Sequence, residues 1–145
     1  MRPIRRIIVH HSASPNDTTV EQLRQWHLDR GFTDLGYHWV ITGDGRTVPG
    51  RPEHKIGAYC LGSNLGSLGI CVTGDNTKPE HVWRGAQWVQ LLLLIEHLKA
   101  KYPAIDSVIG HRDAPGAKTL CPGLDLVPIL TAENPLRAAG VGVQG

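Results

Sequence analysis

Residues 110–123 read GHRDAPGAKTLCPG, a loop that carries a histidine, His111, and a cysteine, Cys121, ten positions apart. Far upstream, residues 4–14 read IRRIIVHHSAS and place His10 and His11 at the end of an apolar run. Two imidazoles and one thiolate form a ligand set that suits zinc. Three protein ligands leave one tetrahedral position open, as in catalytic rather than structural zinc sites. The two stretches therefore predict a catalytic metal site built from distant parts of the chain.

The pattern of residues leaves the identity of the first ligand open. Neighbouring side chains on a strand point to opposite faces, so only one of His10 and His11 can join His111 and Cys121. His54 lies in a glycine-rich region and is a further candidate. A structural zinc site would need a fourth protein ligand, which His11 or His54 would have to supply. Three other histidines are predicted to be surface or packing residues: His27, His81 and His97.

The composition is that of an ordinary folded domain. The chain has 145 residues, of which 41% are hydrophobic and 19% charged, so it is long enough to bury one core. A net charge of +2 is too small to indicate a nucleic-acid partner. Three arginines near the N-terminus, Arg2, Arg5 and Arg6, are predicted to be a solvated strand end. We expect a monomer.

The sequence also bears on where the protein is made. Three cysteines cannot all pair within one chain, which predicts free thiols and folding in a reducing compartment. The apolar run at residues 7–9 is too short for the core of a signal peptide. The longest apolar run, residues 91–95, is too short to span a bilayer, so no membrane partner is expected. We therefore expect a protein that is cytoplasmic when made and is released by a separate factor.

Apolar patterns predict strands that alternate with helices. Residues 4–10 are rich in β-branched side chains, and residues 67–73 (SLGICVT) are almost wholly apolar, which predicts a central strand. The interleaved pattern predicts an α/β fold, a single domain with a mixed central β-sheet flanked by helices, over residues 1–130. Residues 131–145 are predicted to be a mobile tail. Three more strands are expected at 36–42, 46–48 and 107–110.

Two helices are predicted between these strands. Thr18 and Thr19 open the first, with a glutamate or glutamine three positions after each as in a capping box, and Gly31 ends it. Trp26 falls on its apolar face and is expected to be a core residue. The second helix is predicted at residues 82–102, where apolar side chains recur at helical spacing until a proline.

Four segments together resemble a known enzyme family. They are VHHSAS at residues 9–14, GYHWVI at 36–41, IGAYCLGSNLGSLGICVTGD at 56–75, and GHRDAPGAKTLCPG at 110–123. In this order and spacing they resemble the N-acetylmuramoyl-L-alanine amidases of the phage lysozyme type, which are relatives of the peptidoglycan recognition proteins. The resemblance covers residues 4–126. It implies a zinc ion in a surface groove, one per chain, with His10, His111 and Cys121 as ligands.

The resemblance also implies roles for residues around the metal. Tyr37 matches a tyrosine beside the reacting water, although a strand tyrosine alone indicates core packing. Phage-type enzymes often carry a lysine two positions before the cysteine, whereas here Thr119 holds that place and Lys118 precedes it. Either is a candidate to stabilise the oxyanion. Tyr59, which replaces a family histidine, and Asn64 are candidate substrate-binding residues.

The function implied is hydrolysis of the amide between N-acetylmuramic acid and L-alanine in bacterial peptidoglycan, as in a phage or phage-derived endolysin. Three alternatives remain open on sequence. One is a non-catalytic peptidoglycan-binding module, although relatives of that kind have lost the cysteine. A second is a cytoplasmic amidase that recycles muropeptides. The third is a regulator that binds a protein partner, for which no feature of the sequence argues.

Overall fold

The computed structural model describes residues 2–141. Within them, the chain forms a five-stranded sheet with helices packed around it. The strands are β1 (Arg6–His11), β2 (Trp39–Ile41), β3 (Thr47–Pro49), β4 (Ser67–Val72) and β5 (Ser107–Gly110). The helices are α1 (Val20–Asp29), α2 (Gly85–Lys101), α3 (Leu126–Leu130) and α4 (Pro135–Ala138).

The sheet is mixed, as the sequence predicts, and its order is β3-β2-β4-β1-β5. Only the β2–β3 hairpin is antiparallel, because a tight turn joins these two strands and the other pairs are connected by crossovers. β4 occupies the centre, and all six of its residues are buried. This confirms the prediction drawn from its continuous apolar run. The predicted α/β single-domain fold is confirmed.

Helix α1 begins with the predicted capping box. The Thr19 side chain accepts a hydrogen bond from the Gln22 N–H, and the Gln22 side chain accepts one from the Thr19 N–H. Val20 and Leu23 are buried, but Trp26 is 44% exposed, so its prediction as a core residue is wrong. The buried stripe of this short helix runs through positions 20, 23 and 27, and Trp26 falls beside it.

Helix α2 packs one of its faces against the core. Its buried residues include Trp88, Leu91 and Leu98, whereas Val89 and Leu93 are exposed. The apolar positions of this segment cover more than one face, so spacing alone did not select the buried one. No helix within residues 2–141 is long and apolar enough to cross a membrane.

The C-terminal segment contains two short helices that the sequence did not predict. α3 packs beside β5, and α4 follows it. Leu136 and Val141 pack against the main core, which places residues 131–141 on the domain rather than away from it. Residues 142–145 of the predicted tail lie outside the described residues. The domain boundary at residue 130 stays a prediction.

The His38 side chain connects the sheet to the loop that follows β3 through two hydrogen bonds. Its Nδ1 accepts a hydrogen bond from the Gly69 N–H at 3.0 Å, and its Nε2 lies 2.7 Å from the Lys55 carbonyl. A backbone N–H can only donate, so the proton of the neutral ring is on Nε2 and is donated to Lys55. The ring is 1% exposed. Burial lowers the pKa of His38 from 6.5 to about 4.

This histidine is expected to make the stability of the protein depend on pH. Between pH 6.5 and about 4 the unfolded chain binds the proton and the folded chain does not. The free energy of unfolding should therefore fall as the pH drops through this window, by on the order of 3 kcal/mol from His38. Urea unfolding of metal-free protein at several pH values measures the slope. His38→Gln should flatten it and His97→Gln, at an exposed site, should not; an unchanged slope in His38→Gln would contradict the assignment.

Candidate metal centre and groove

Two neighbouring parallel strands deliver the two histidines of the centre. β1 pairs with β5 so that Val9 stands opposite Gly110, and His10 and His111 each come one position later. Parallel strands end at the same edge of a sheet, so the two rings meet, with centroids 4.7 Å apart. The loop after β5 returns Cys121 to the same place. The donor atoms of His10, His111 and Cys121 all lie within 4.8 Å of one another.

His10 has the properties of a neutral metal ligand. Its ring is buried, and its Nε2 has no hydrogen-bond partner in the structure. Burying a ring nitrogen without a hydrogen-bond partner costs free energy, unless the imidazole binds another group such as a metal ion. Burial lowers the pKa of His10 well below its usual value, and the nearby His111 lowers it further. Burial also lowers the pKa of His111. Both imidazoles are therefore neutral near pH 7, the form that binds a metal.

The backbone around Cys121 is arranged to hold a sulfur atom. The His11 N–H points at Cys121 Sγ at 3.3 Å, and the Arg112 N–H donates to the Cys121 carbonyl at 2.6 Å. Burial raises the pKa of Cys121 to about 12, so this site needs a nearby cation to hold a thiolate. Two neutral imidazoles and one thiol within reach of a single ion meet the requirement for zinc.

The two alternative histidines lie outside this group. His11 Nδ1 accepts a hydrogen bond from the Asn76 N–H at 3.2 Å and lies 3.8 Å from Asp75. His54 is exposed in the loop after β3. Among residues 2–141 the group contains three protein ligands, so the geometry does not provide the fourth ligand that a structural zinc site would need.

Tyr37 lies beside the group, just before β2. Its ring centroid is 5.1 Å from that of His10 and 5.2 Å from that of His27. Burial raises the pKa of Tyr37 well above 10, and the neighbouring thiols of Cys71 and Cys121 raise it further. The phenol therefore keeps its proton and can act as a hydrogen-bond donor beside the metal group. Cys71 is fully buried, as expected of a small apolar residue.

A groove of about 430 Å³ opens from the metal group. The groove is lined by the three candidate ligands, by residues at and just after the end of α1, and by residues of the loop after β3. Tyr59 and Asn64 both line it. A Cβ at Gly69 would lie 2.6 Å from the Tyr59 ring, so the glycine makes room for this ring on β4.

The hydroxyl of Tyr59 already has a partner. Ser67 donates its own proton to the Ser63 carbonyl at 2.7 Å, so the 2.6 Å contact between Tyr59 and Ser67 is a donation from the phenol. Asn64 uses its side-chain oxygen to accept from the N–H groups of Tyr59 and Cys60. Both residues therefore shape the loop, and their predicted contacts with substrate stay predictions.

The two candidates for the oxyanion differ in their surroundings. Thr119 Oγ1 accepts a hydrogen bond from the Cys121 N–H at 3.1 Å, so it supports the loop that carries the cysteine. Lys118 is exposed. Tyr37 is half-buried and lines the groove, whereas Lys118 and Thr119 are exposed and are absent from its lining.

One residue next to the groove was missed by the sequence analysis. Arg2 is half-buried and hydrogen-bonded to the loop after β3, not part of a solvated strand end as predicted. An arginine near a chain end carries no signal of a contact more than sixty positions away, so the sequence offered no way to find it.

Comparison with known proteins identifies the family. The family described as N-acetylmuramoyl-L-alanine amidase matches residues 1–124, which hold all three candidate ligands. The chain belongs to this amidase family. The endolysin of Escherichia phage T7 is 37% identical over 125 residues, covering 83% of this chain and 81% of that protein. The endolysin of Klebsiella phage KP32 is 36% identical over 126 residues, covering 83% and 82%.

Solved structures of amidases share the fold. The N-acetylmuramoyl-L-alanine amidase LysC from Clostridium intestinale URNW superposes with a TM-score of 0.78 at 30% identity, covering 86% of this chain and 79% of that one. Drosophila PGRP-LB gives a TM-score of 0.72 at 30% identity, covering 84% and 76%. The resemblance drawn from the four sequence segments is confirmed, and this amidase is by its family an enzyme.

Proposed function

We propose that this amidase uses one zinc ion, held by His10, His111 and Cys121, to hydrolyse the amide between N-acetylmuramic acid and L-alanine in peptidoglycan. The observation that carries the proposal is the convergence of these three donor atoms within 4.8 Å at the end of a groove. A zinc ion held there supplies Lewis acidity and lowers the pKa of a coordinated water. Membership of the amidase family supports the choice of reaction.

The protein's own residues complete the chemistry. Tyr37 keeps its proton because burial raises its pKa, so it can donate a hydrogen bond to the oxygen that becomes negative as the amide is attacked. Fixed donors of this kind act strongly because a buried site excludes competing water. Lys118 or Thr119, both on the loop that carries Cys121, is the second candidate donor. The backbone N–H of His11 holds the sulfur in position.

The proposed biological role is that of an endolysin acting on the cell wall after release by a separate factor. The endolysins of phages T7 and KP32 match four-fifths of this chain and support the role. A muropeptide-recycling enzyme would act on soluble fragments instead. Incubation with intact sacculi and, separately, with soluble muropeptides distinguishes the two, because an endolysin must release fragments from the intact polymer.

Removal of the metal is expected to abolish activity reversibly. Protein dialysed against a chelator should lose hydrolysis of dye-labelled sacculi, and one equivalent of Zn²⁺ per chain should restore it, because three protein ligands hold one ion. Elemental analysis alongside the assay gives the stoichiometry. Mg²⁺ is the control, since a hard cation is a poor match for a site with one sulfur and two imidazoles. Full activity in the metal-free protein would contradict the proposal.

A further inference from the structure

We infer that Arg2 is a positioning residue for substrate binding, because its guanidinium fixes the loop that forms one wall of the groove. This wall loop comprises residues 55–66, between the hairpin and β4. It carries Tyr59, Cys60, Leu61 and Asn64, all of which line the groove. The inference takes the identity of the substrate from the proposed function. It goes beyond that function because it assigns a role to a residue outside the groove.

A single guanidinium joins the two ends of the wall loop. Arg2 Nη1 donates to the Leu65 carbonyl at 2.6 Å, and Nη2 donates to the Ser67 carbonyl at 2.9 Å. At the other end of the loop, Nη2 lies 3.3 Å from the Lys55 carbonyl. Five N–H donors in a planar fork allow one arginine to bridge carbonyls in this way, which a lysine ammonium cannot reproduce.

His38 works with Arg2 at the Lys55 end. Since its ring proton is on Nε2, the 3.2 Å approach of Arg2 Nη2 to that nitrogen is a contact between two donors. Both donate to the same acceptor, the Lys55 carbonyl. The sheet and the N-terminal segment therefore hold the start of the wall loop at one shared point. Arg2 connects this point to Leu65 and Ser67 at the end of the loop, and His38 connects it to Gly69 in β4.

The connection matters because the wall loop is exposed over much of its length, although Gly57 and Cys60 are buried. Leu61 is 97% exposed and Leu65 is 65% exposed, so the loop lacks apolar anchors at these positions. Loss of the Arg2 tie between the loop's ends increases the number of conformations that its exposed part can adopt. A ligand that needs the wall in one conformation must then bear the cost of ordering it, which weakens binding rather than the chemical step.

The test replaces Arg2 by alanine and compares it with a matched control. Arg5→Ala removes an exposed arginine three positions away whose side chain has no hydrogen bond or ion pair among residues 2–141. Arg2→Ala should raise KM for a soluble muramoyl pentapeptide about five- to tenfold with kcat changed less than about twofold. Zinc content should stay at one per chain, because His10, His111 and Cys121 are not touched by Arg2. Arg5→Ala should match the wild type.

A second readout does not depend on catalysis. Trypsin cleaves after lysine, and the Lys55 carbonyl is the shared acceptor, so cleavage at this bond should be several-fold faster in Arg2→Ala than in Arg5→Ala. The Kd for the same pentapeptide, measured by calorimetry in a Cys121→Ser background, should rise with KM. Faster cleavage and a weaker Kd support the inference even if no variant hydrolyses substrate. Equal Kd values in the two arginine variants, or a fall in kcat with unchanged KM, would overturn it.

Discussion

Replacing Cys121 by serine is expected to lower kcat/KM at least about 1000-fold, which corresponds to about 4 kcal/mol. The hydroxyl of serine is a poor zinc ligand at neutral pH, so the site keeps two imidazoles and loses the sulfur that binds zinc strongly. Groove residues such as Tyr59 and Asn64 are untouched by the change, and binding to sacculi should persist. Hydrolysis of labelled sacculi and co-sedimentation with them measure the two effects separately.

Cys60→Ser is the matched control for this variant. Cys60 lines the same groove and is also buried, but it is not a member of the metal group. Its replacement should leave kcat/KM within about threefold of the wild type, since serine keeps a donor of similar size. If Cys121→Ser retains more than a tenth of the activity, Cys121 is not the third ligand. If the wild type binds sacculi with zinc present and does not cut them, the chain is a binding module.

Replacing Tyr37 by phenylalanine is expected to lower kcat about 100- to 1000-fold with little change in KM, as for loss of one oxyanion donor. The change removes only the phenol oxygen, and the ring can keep its packing against His10 and His27. A donor that acts on charge formed during the reaction contributes to the chemical step and not to binding. Steady-state kinetics on a soluble muropeptide separate kcat from KM.

Tyr102→Phe provides the comparison for loss of a phenol oxygen elsewhere. The Tyr102 hydroxyl donates to Glu53 at 2.6 Å, and Tyr102 is absent from the groove lining. Its loss should leave both kinetic constants near those of the wild type. An equal effect of the two substitutions, or a rise in KM alone for Tyr37→Phe, would rule out the donor role. Zinc content measured in each variant excludes loss of the metal as the cause.

Local patterns were sufficient to predict the strand that delivers His10 and the central strand of the sheet. β1 and β4 stand out because both are buried on both faces and so lack the alternation of a surface strand. The start of α1 was predictable because the Thr19–Gln22 capping box is a local arrangement of side chain and backbone. α3 and α4 were missed because five and four residues are too few to show a helical period.

The remaining features depend on contacts between distant parts of the chain. Spacing did not distinguish His10 from His11, since that choice follows from which face of β1 meets the loop with Cys121. Thr119 and Asn64 were recognised as candidates, but their hydrogen bonds arise from loop geometry that a sequence pattern does not encode. Arg2 is the extreme case, because its partners at Leu65 and Ser67 are more than sixty positions away.

The central claim is that this amidase cuts one amide bond with a zinc ion held by His10, His111 and Cys121. Its most direct test is digestion of purified sacculi by zinc-loaded and chelator-stripped protein, with the products identified by mass spectrometry. We expect free stem peptides with an L-alanine amino terminus, released only by the zinc-loaded protein, and glycan strands left uncut. Products that retain the muramic acid–alanine bond, or the same stem peptides from metal-free protein, would contradict it.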